Sequence, residues 1–243
     1  MKQIQITLTP PESKRIIAMG VKNLPVIQQA LKKGIILVTL GTTNAYVAEE
    51  LTGRKMDYFR YAAGYIGETA AVIPNDKRLP AIALNNGKEV DSETIINEMT
   101  SDDVVIKGAN ALDPDGIAGV MMANSLGGTT GGFIGTVMAK GINLVIPVGL
   151  EKSIPYSVIE ISKAIGIQRC SKATGLPVGM MPLFGEVITE VEALILLGAE
   201  DAFAIGAGGV NGGEGAVTLS VMGENVDRIF DLVLEVKEKK GEM

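Results

Sequence analysis

The sequence IILVTLGTTNA, residues 35–45, decides the architecture expected for this chain. Its first six residues are apolar or β-branched and lie between Gly34 and Gly41. Such a short apolar segment predicts a strand that is buried on both faces, as in a parallel sheet. A glycine, two threonines and an asparagine follow, and a helix is expected over 45–51. A buried strand that leads through a polar loop into a helix is typical of an α/β protein.

The same order of strand, glycine-containing loop and helix recurs along the first two thirds of the chain. Further buried strands are expected over 104–106 and 142–148, and helices over 129–140 and 155–164. This alternation predicts an open, Rossmann-like, mostly parallel sheet with helices on both faces, and we assign it to residues 1–168. Because ligands of such sheets bind outside the carboxyl ends of the strands, the loops that follow the strands are the candidate site.

The last third of the chain has a different pattern. Strands are expected over 178–184, 202–205 and 216–222, and helices over 186–197 and 225–239. This β-α-β-β-α order resembles the ferredoxin-like arrangement, so residues 169–243 are predicted to form a smaller α+β domain. For two segments the sequence leaves more than one structure possible. Residues 54–90 favour short strands or a flap, and the glycine-rich stretch 206–215 favours either a ligand lid or a long hairpin connection.

The composition excludes several classes of function. The chain has 22 basic and 28 acidic residues, a formal net charge of −6, whereas a protein that holds nucleic acid needs a basic surface. It has no histidine, which removes histidine metal ligands and the Ser-His-Asp triad. Its one cysteine excludes an intrachain disulfide framework and a cysteine-rich zinc site. We therefore expect no metal, no cofactor and no nucleic acid.

One uncharged stretch, residues 116–139, has the length of a membrane span. It contains seven glycines together with Asn124, Ser125 and three threonines, all of which lower its hydrophobicity. The stretch therefore favours a buried glycine-rich loop followed by a core helix. The N-terminal residues lack the apolar core of a signal peptide. We expect a cytoplasmic protein with no membrane partner.

Two loops carry candidate anion-binding residues. Gly41, Thr42, Thr43 and Asn44 lie at a predicted helix N-terminus, where free amides and the helix dipole attract an anion. The alternative is that Thr43 or Asn44 only caps the helix. The second loop has glycines that let the main chain approach a ligand closely, although a tight strand-to-helix turn would need the same residues. It consists of Gly127, Gly128, Thr129 and Thr130.

A third candidate segment, residues 107–116, follows the strand over 104–106. Lys107 and Asp113 are its catalytic candidates, and Asn110 is a candidate ligand-binding residue together with the more distant Lys152. Asp113 and Asp115 as a pair could bind a cation or share a proton. Asp-Pro-Asp-Gly is equally good turn chemistry, and this explanation is preferred for Asp115.

Three segments in order resemble one superfamily, that of ribose-5-phosphate isomerase, the DeoR-type sugar-phosphate sensors and the CoA transferases. Residues 37–45 resemble the phosphate-binding Gly-Thr/Ser-Thr segment of the isomerase. Residues 104–114 resemble its Asp-Gly-Ala-Asp-Glu-Val-Asp-Pro segment, and residues 143–147 with Lys152 are similar to a strand and following lysine of these families. The resemblance covers about residues 25–165. It implies an α/β core with a phosphate site at the strand ends.

The departures from that pattern fall on the catalytic positions. Lys107 and Asn110 stand where the isomerase segment has aspartates, and Ala111 stands where it has glutamate. The Lys-Gly-Gly-Gly-Gly segment is absent, and its nearest analogue, residues 127–130, has no lysine. Moving a proton between adjacent carbons needs a base, and the Asn110 amide is not one. The resemblance therefore does not carry isomerase activity with it.

Three functions remain after these arguments. The leading hypothesis is a protein that binds a small phosphorylated or carboxylated metabolite between the two threonine loops. The second is an isomerase-like or transferase-like enzyme acting on a small anionic metabolite. The third is an assembly or regulatory module with no ligand. In each case we expect a homo-oligomer.

Overall fold

The computed structural model describes residues 2–238 of the chain. The strands are β1 (Lys2–Leu8), β2 (Ile35–Val38), β3 (Gly64–Ile66), β4 (Ala70–Val72), β5 (Ile82–Asn85), β6 (Lys88–Val90), β7 (Val104–Ile106), β8 (Ala111–Leu112), β9 (Ala118–Met122), β10 (Asn143–Pro147), β11 (Gly179–Leu183), β12 (Glu186–Ile188), β13 (Asp201–Gly208) and β14 (Ala216–Gly223). The α-helices are α1 (Pro10–Asn23), α2 (Pro25–Lys33), α3 (Thr42–Thr52), α4 (Gly128–Gly131), α5 (Ile134–Lys140), α6 (Val158–Ala164), α7 (Glu190–Leu196) and α8 (Val226–Glu238).

A six-stranded mixed sheet forms the centre of the molecule, with the order β12-β10-β7-β2-β5-β6. The first four strands of this order are parallel, and β5 and β6 run antiparallel to their neighbours. The α/β prediction is confirmed. The Rossmann-like arrangement is not confirmed, because the parallel strands follow one another on one side of β2 and an antiparallel hairpin occupies the other side.

The central sheet is buried on both faces. In β2, Ile36 and Val38 pack into one core with α1, α2 and α3, whereas Ile35 and Leu37 pack into a second core on the opposite face. Successive side chains of a strand point to opposite faces, so a strand between two cores must be apolar at every position. The predicted buried strand at this position is confirmed.

A second sheet joins the two ends of the chain, with the order β1-β14-β13. The pairing of β1 with β14 runs from Lys2 opposite Gly223 to Leu8 opposite Val217. Strand β12 belongs to the second predicted domain but extends the central sheet of the first through its pairing with β10. Strand pairing therefore crosses the predicted domain boundary at 168/169 both ways. The physical reason is that the apolar face of β1 and the apolar face of the paired β14 pack into the same core.

Several predicted elements differ in extent or partner. The strand expected over 178–184 forms as β11 but pairs with β9 in a third sheet, so the ferredoxin-like order is not formed. The helix expected over 129–140 is divided into α4 and α5, as glycines at its start disfavour helix. The helix expected over 186–197 begins only at Glu190, after β12. The predicted helix end at residue 239 lies outside the described residues, as do residues 1 and 240–243 of the two predicted domains.

Segment 54–90 contains short strands, as the sequence favoured, and they form two antiparallel pairs, β3 with β4 and β5 with β6. We call residues 64–72, the β3–β4 hairpin, the flap. The stretch 206–215 connects β13 and β14, which is the hairpin alternative. A search of residues 2–238 for a helix with the length and apolarity of a membrane span finds none.

Candidate functional site

A cavity of about 590 Å³ opens at the carboxyl ends of β2 and β7, beneath the flap. Its lining has four parts: the start of α3, the loop after β7, the loop before α4, and the flap with its neighbours. Predicted site residues in the lining are Gly41, Thr42, Thr43, Lys107, Asn110, Gly127, Gly128, Thr129, Thr130 and Lys152. The tertiary structure therefore brings together residues that lie more than a hundred positions apart. A volume of this size is typical of small-molecule sites.

Hydrogen bonds hold the end of β2 against β7 and the base of the flap. The Thr39 hydroxyl donates to the Ile106 carbonyl oxygen at 2.9 Å. The buried Tyr61 hydroxyl donates to the Val38 carbonyl oxygen at 2.7 Å, and the Gly41 amide donates to the Tyr61 carbonyl oxygen at 2.8 Å. These bonds fix the point at which the chain turns into α3.

The N-terminus of α3 presents free donors to the cavity. Its N-cap residue is Gly41, which has no side chain to accept a hydrogen bond from the first turn. The Thr42 and Thr43 amides donate to no acceptor in the described part of the chain. The Thr43 side chain is 1% exposed, and its hydroxyl has no hydrogen-bond partner among residues 2–238. An anion at this point would receive both the amides and the helix dipole.

Asn44 has a different role from the one predicted. Its side chain is fully buried and does not line the cavity. The amide nitrogen donates to the carbonyl oxygens of Thr39 at 2.8 Å and Ile106 at 3.1 Å. Asn44 therefore ties α3 to the ends of β2 and β7. The side-chain nitrogen is thus engaged by the protein, whereas the side-chain oxygen has no partner among residues 2–238. The geometry gives no support to the assignment of Asn44 as a ligand-binding residue, which stays a prediction.

Lys107 reaches the cavity from the end of β7. The residue is 8% exposed, and its ammonium donates to the Gly108 carbonyl oxygen at 2.9 Å. It forms no ion pair with any carboxylate of residues 2–238. Burial, and to a smaller extent the positive charge of Lys152, lower the pKa of Lys107 from its ordinary value of 10.5 to about 8.

Two further cations line the same cavity. The half-buried Lys152 donates from its ammonium to the Ala109 carbonyl oxygen at 2.8 Å. Burial lowers the pKa of Lys152, against the opposing charge of Glu151. Arg78 enters the lining beside the flap, and burial lowers the pKa of its guanidinium as well. No aspartate or glutamate of residues 2–238 lines this cavity, although the whole chain has a net charge of −6.

The segment over 127–131, which comprises the last loop residue and α4, needs its glycines for geometric reasons. Gly127 has φ +79°, a left-handed conformation that favours glycine. A Cβ atom on Gly131 would lie 2.1 Å from the carbonyl oxygen of Leu126. Gly127 and α4 together form a tight turn, and Thr129 and Thr130 of α4 line the cavity, so the two explanations that the sequence left open are compatible.

Asn110 and Asp113 differ in their access to the cavity. Asn110 lines it, while its side-chain oxygen accepts a hydrogen bond from the Met121 amide at 3.0 Å. Asp113 does not line the cavity, and its carboxylate accepts from the amides of Asp115, Ile117 and Val158. Asp113 therefore stabilises a turn and the start of α6. The geometry gives no support to its predicted catalytic role.

Sequence reasoning missed the part of the lining that the flap and its neighbours contribute. Arg78 and the apolar side chains of Tyr65, Ile66 and Leu176 all face this cavity. The only sequence signal was the group of aromatic residues in segment 54–90, which does not specify where the segment folds.

The site has no features of a metal centre. Among residues 2–238, no group of three His, Cys, Asp or Glu side chains is placed to hold a metal ion.

Comparison of the sequence with models of protein families, and with curated proteins, finds no match to this chain. The functional argument therefore depends on the geometry of the cavity.

Proposed function

We propose that this protein binds a small phosphorylated or carboxylated metabolite in the cavity beneath the flap. The observation that carries the proposal is the charge of the lining: Lys107, Lys152 and Arg78 face the cavity, and no carboxylate of the described residues does. Buried cations are normally paired, because desolvation of an isolated charge is costly. Lys107 is the buried one of the three, and an anionic ligand would supply the partner that it lacks among residues 2–238.

The anionic group of the ligand is assigned to the N-terminus of α3. There the free amides of Thr42 and Thr43, the unpartnered Thr43 hydroxyl and the nearby ammonium groups supply hydrogen bonds and positive charge. Hydrogen bonds to a charged group contribute about 1.5–3 kcal/mol each, which is enough for selective binding when several act together. The resemblance to sugar-phosphate proteins agrees with this assignment, since residues 41–43 belong to the segment that it marks as phosphate-binding.

The rest of the ligand would lie between the flap and the loop before α4. Apolar side chains such as Ile66, Met121 and Leu176 line this part, together with the Thr129 and Asn110 side chains. Such a mixture suits a short carbon chain with a few hydroxyl or carbonyl groups.

The test is a thermal-unfolding measurement with inorganic phosphate, sulfate and chloride at constant ionic strength. Phosphate at a hundred times its Kd is expected to stabilise the protein by about 2.7 kcal/mol, and chloride to have little effect. The Lys152→Met variant should lose most of the phosphate response. The control is Lys33→Met, the same change at an exposed position of α2.

Two results would contradict the proposal. One is a wild-type protein whose unfolding temperature is unaffected by phosphate, sulfate and small organic phosphates. The other is a Lys152→Met variant that responds to phosphate as strongly as the wild type does.

A further inference from the structure

We propose that Lys107 is an amine nucleophile, which forms a Schiff base with an aldehyde or ketone whose phosphate or carboxylate group is held in the same cavity. This inference rests on the proposed function and adds to it the chemical class of the substrate. It also gives a role to the one buried lysine that ends a central strand.

The first argument is that the Lys107 nitrogen is not held in an ion pair. Its hydrogen bond goes to the neighbouring Gly108 carbonyl oxygen, and Lys107 is one of the residues that line the cavity. Some lysines elsewhere in the chain bond carboxylates: Lys237 contacts Glu12 at 2.9 Å and Lys163 contacts Glu160 at 2.7 Å. A carboxylate partner stabilises the ammonium form, which has no lone pair with which to attack a carbonyl carbon.

The second argument is the fraction of neutral amine. With its pKa lowered to about 8, Lys107 is neutral in about one molecule in ten at pH 7. An exposed lysine is neutral in only about one molecule in three thousand at that pH. Burial and a second cationic group are the two means by which proteins activate a lysine for Schiff-base formation, and the cavity supplies both.

The reaction balances with groups that are present. The Nζ lone pair forms a bond to the carbonyl carbon, and the carbonyl π pair moves to the oxygen. The nitrogen then loses a proton and the oxygen gains one, which gives the carbinolamine. Loss of the hydroxyl group with one more proton releases water and leaves a protonated imine. Lys152 lies in the same cavity and is the ammonium that protonates the oxygen, and solvent restores its proton.

The product also suits its surroundings. A protonated imine is a cation, as the free ammonium is. The anionic group of the substrate therefore stabilises both forms of Lys107. The imine withdraws electrons from the adjacent carbon. Imine formation would therefore activate the adjacent carbon electronically, and removal of a proton from that carbon would still require a base.

The experiment uses pyridoxal 5′-phosphate as a probe, because it combines an aldehyde with a phosphate. The full chain is incubated with the probe and then with borohydride, which reduces an imine to a stable secondary amine. Intact mass and peptide mapping locate the adduct. We expect one adduct per chain, on Lys107, with none at this position in Lys107→Arg and unchanged labelling in Lys33→Met. Pyridoxal without the phosphate should label Lys107 about tenfold less, as one charged hydrogen-bonding group is lost.

The outcomes separate this inference from the proposed function. If inorganic phosphate raises the unfolding temperature but Lys107 stays unlabelled, the Schiff base is refuted and anion binding stands. If Lys107 is labelled no faster than Lys33, or if inorganic phosphate does not protect it, the inference is also refuted. If phosphate neither stabilises the protein nor protects Lys107, both proposals fail.

Discussion

Replacing Lys107 by methionine should make the protein more stable at neutral pH while weakening its response to anions. Methionine keeps an unbranched apolar side chain in the cavity wall and removes the ammonium. A gain in stability on mutating a buried residue is unusual, since most substitutions destabilise. The expectation follows from the absence of a carboxylate partner for Lys107 in the described residues.

The magnitude comes from the pKa of Lys107, which burial lowers from 10.5 to about 8. Each pKa step of one corresponds to about 1.4 kcal/mol, so at pH 7 burial of the ammonium opposes folding by on the order of 3 kcal/mol. The variant loses the hydrogen bond to the Gly108 carbonyl oxygen, which is worth about 1 kcal/mol. A net gain of about 2 kcal/mol remains, or roughly 4–8 °C in unfolding temperature for a chain of this length.

The pH dependence gives a second readout with a definite sign. The unfolded chain binds a proton at Lys107 more readily than the folded chain, so wild-type stability at this site rises as pH increases from about 8 to 10.5. The stability advantage of Lys107→Met should therefore be largest at pH 7 and should turn into a deficit of about 1 kcal/mol above about pH 10.5, where the burial penalty is gone and only the lost hydrogen bond remains. Urea unfolding of both proteins, with Lys33→Met as the exposed control, measures this difference.

The reasoning is refuted if Lys107→Met is less stable than the wild type at pH 7. It is also refuted if the stability difference between the two proteins does not change with pH. Either result would mean that the ammonium is solvated or paired in solution, and the charge argument for the ligand would lose its basis.

Three further substitutions separate the cavity from the scaffold. Thr43→Val removes an unpartnered buried hydroxyl, so stability should be unchanged or higher by up to about 1 kcal/mol, whereas the phosphate-induced rise in unfolding temperature should fall; an unchanged rise contradicts the site. Asp113→Asn places an NH₂ group among main-chain donors such as the Val158 amide, so urea unfolding should show a loss of about 2 kcal/mol with the phosphate response retained. Burial raises the pKa of Glu190, so the proton-linked stability of the wild type is present below pH 4.5 and is lost as pH rises through the raised pKa. The free energy of unfolding of Glu190→Gln, measured in urea, should therefore rise relative to that of the wild type between pH 4.5 and 7. A difference between the two free energies that does not change with pH would argue against the raised pKa.

Much of the local structure was predictable from the sequence. The all-apolar β2 and the polar loop before α3 follow from a few adjacent residues, because burial on both faces requires an apolar side chain at every position. Both threonine loops were also identified from the sequence as candidate site segments, because each has glycines and hydroxyl groups just before a predicted helix. The loop before α3 follows a parallel strand of the central sheet, where a ligand site is expected. The segment over 127–130 follows β9 of the third sheet and reaches the cavity only through the tertiary structure.

Other assignments gain no support from the structure, and in each the sequence allowed two explanations of equal local quality. An asparagine in the first turn of a helix suits either an anion site or a bond to the protein, and Asn44 bonds the ends of β2 and β7. An aspartate in Asp-Pro-Asp-Gly suits either catalysis or a turn, and Asp113 accepts three amides. Only the position of the neighbouring strands and helices distinguishes these roles.

By itself, the sequence determined where the buried strands β2, β7 and β10 occur, since a short apolar segment can be read over a few positions. The tertiary structure decided which strands pair, as in β1 with β14, because many apolar edges along the chain have compatible patterns. It also decided the charge of the cavity. Nothing near Lys107 in the sequence indicates that it is buried without a carboxylate, because desolvation depends on groups that the fold brings from distant segments.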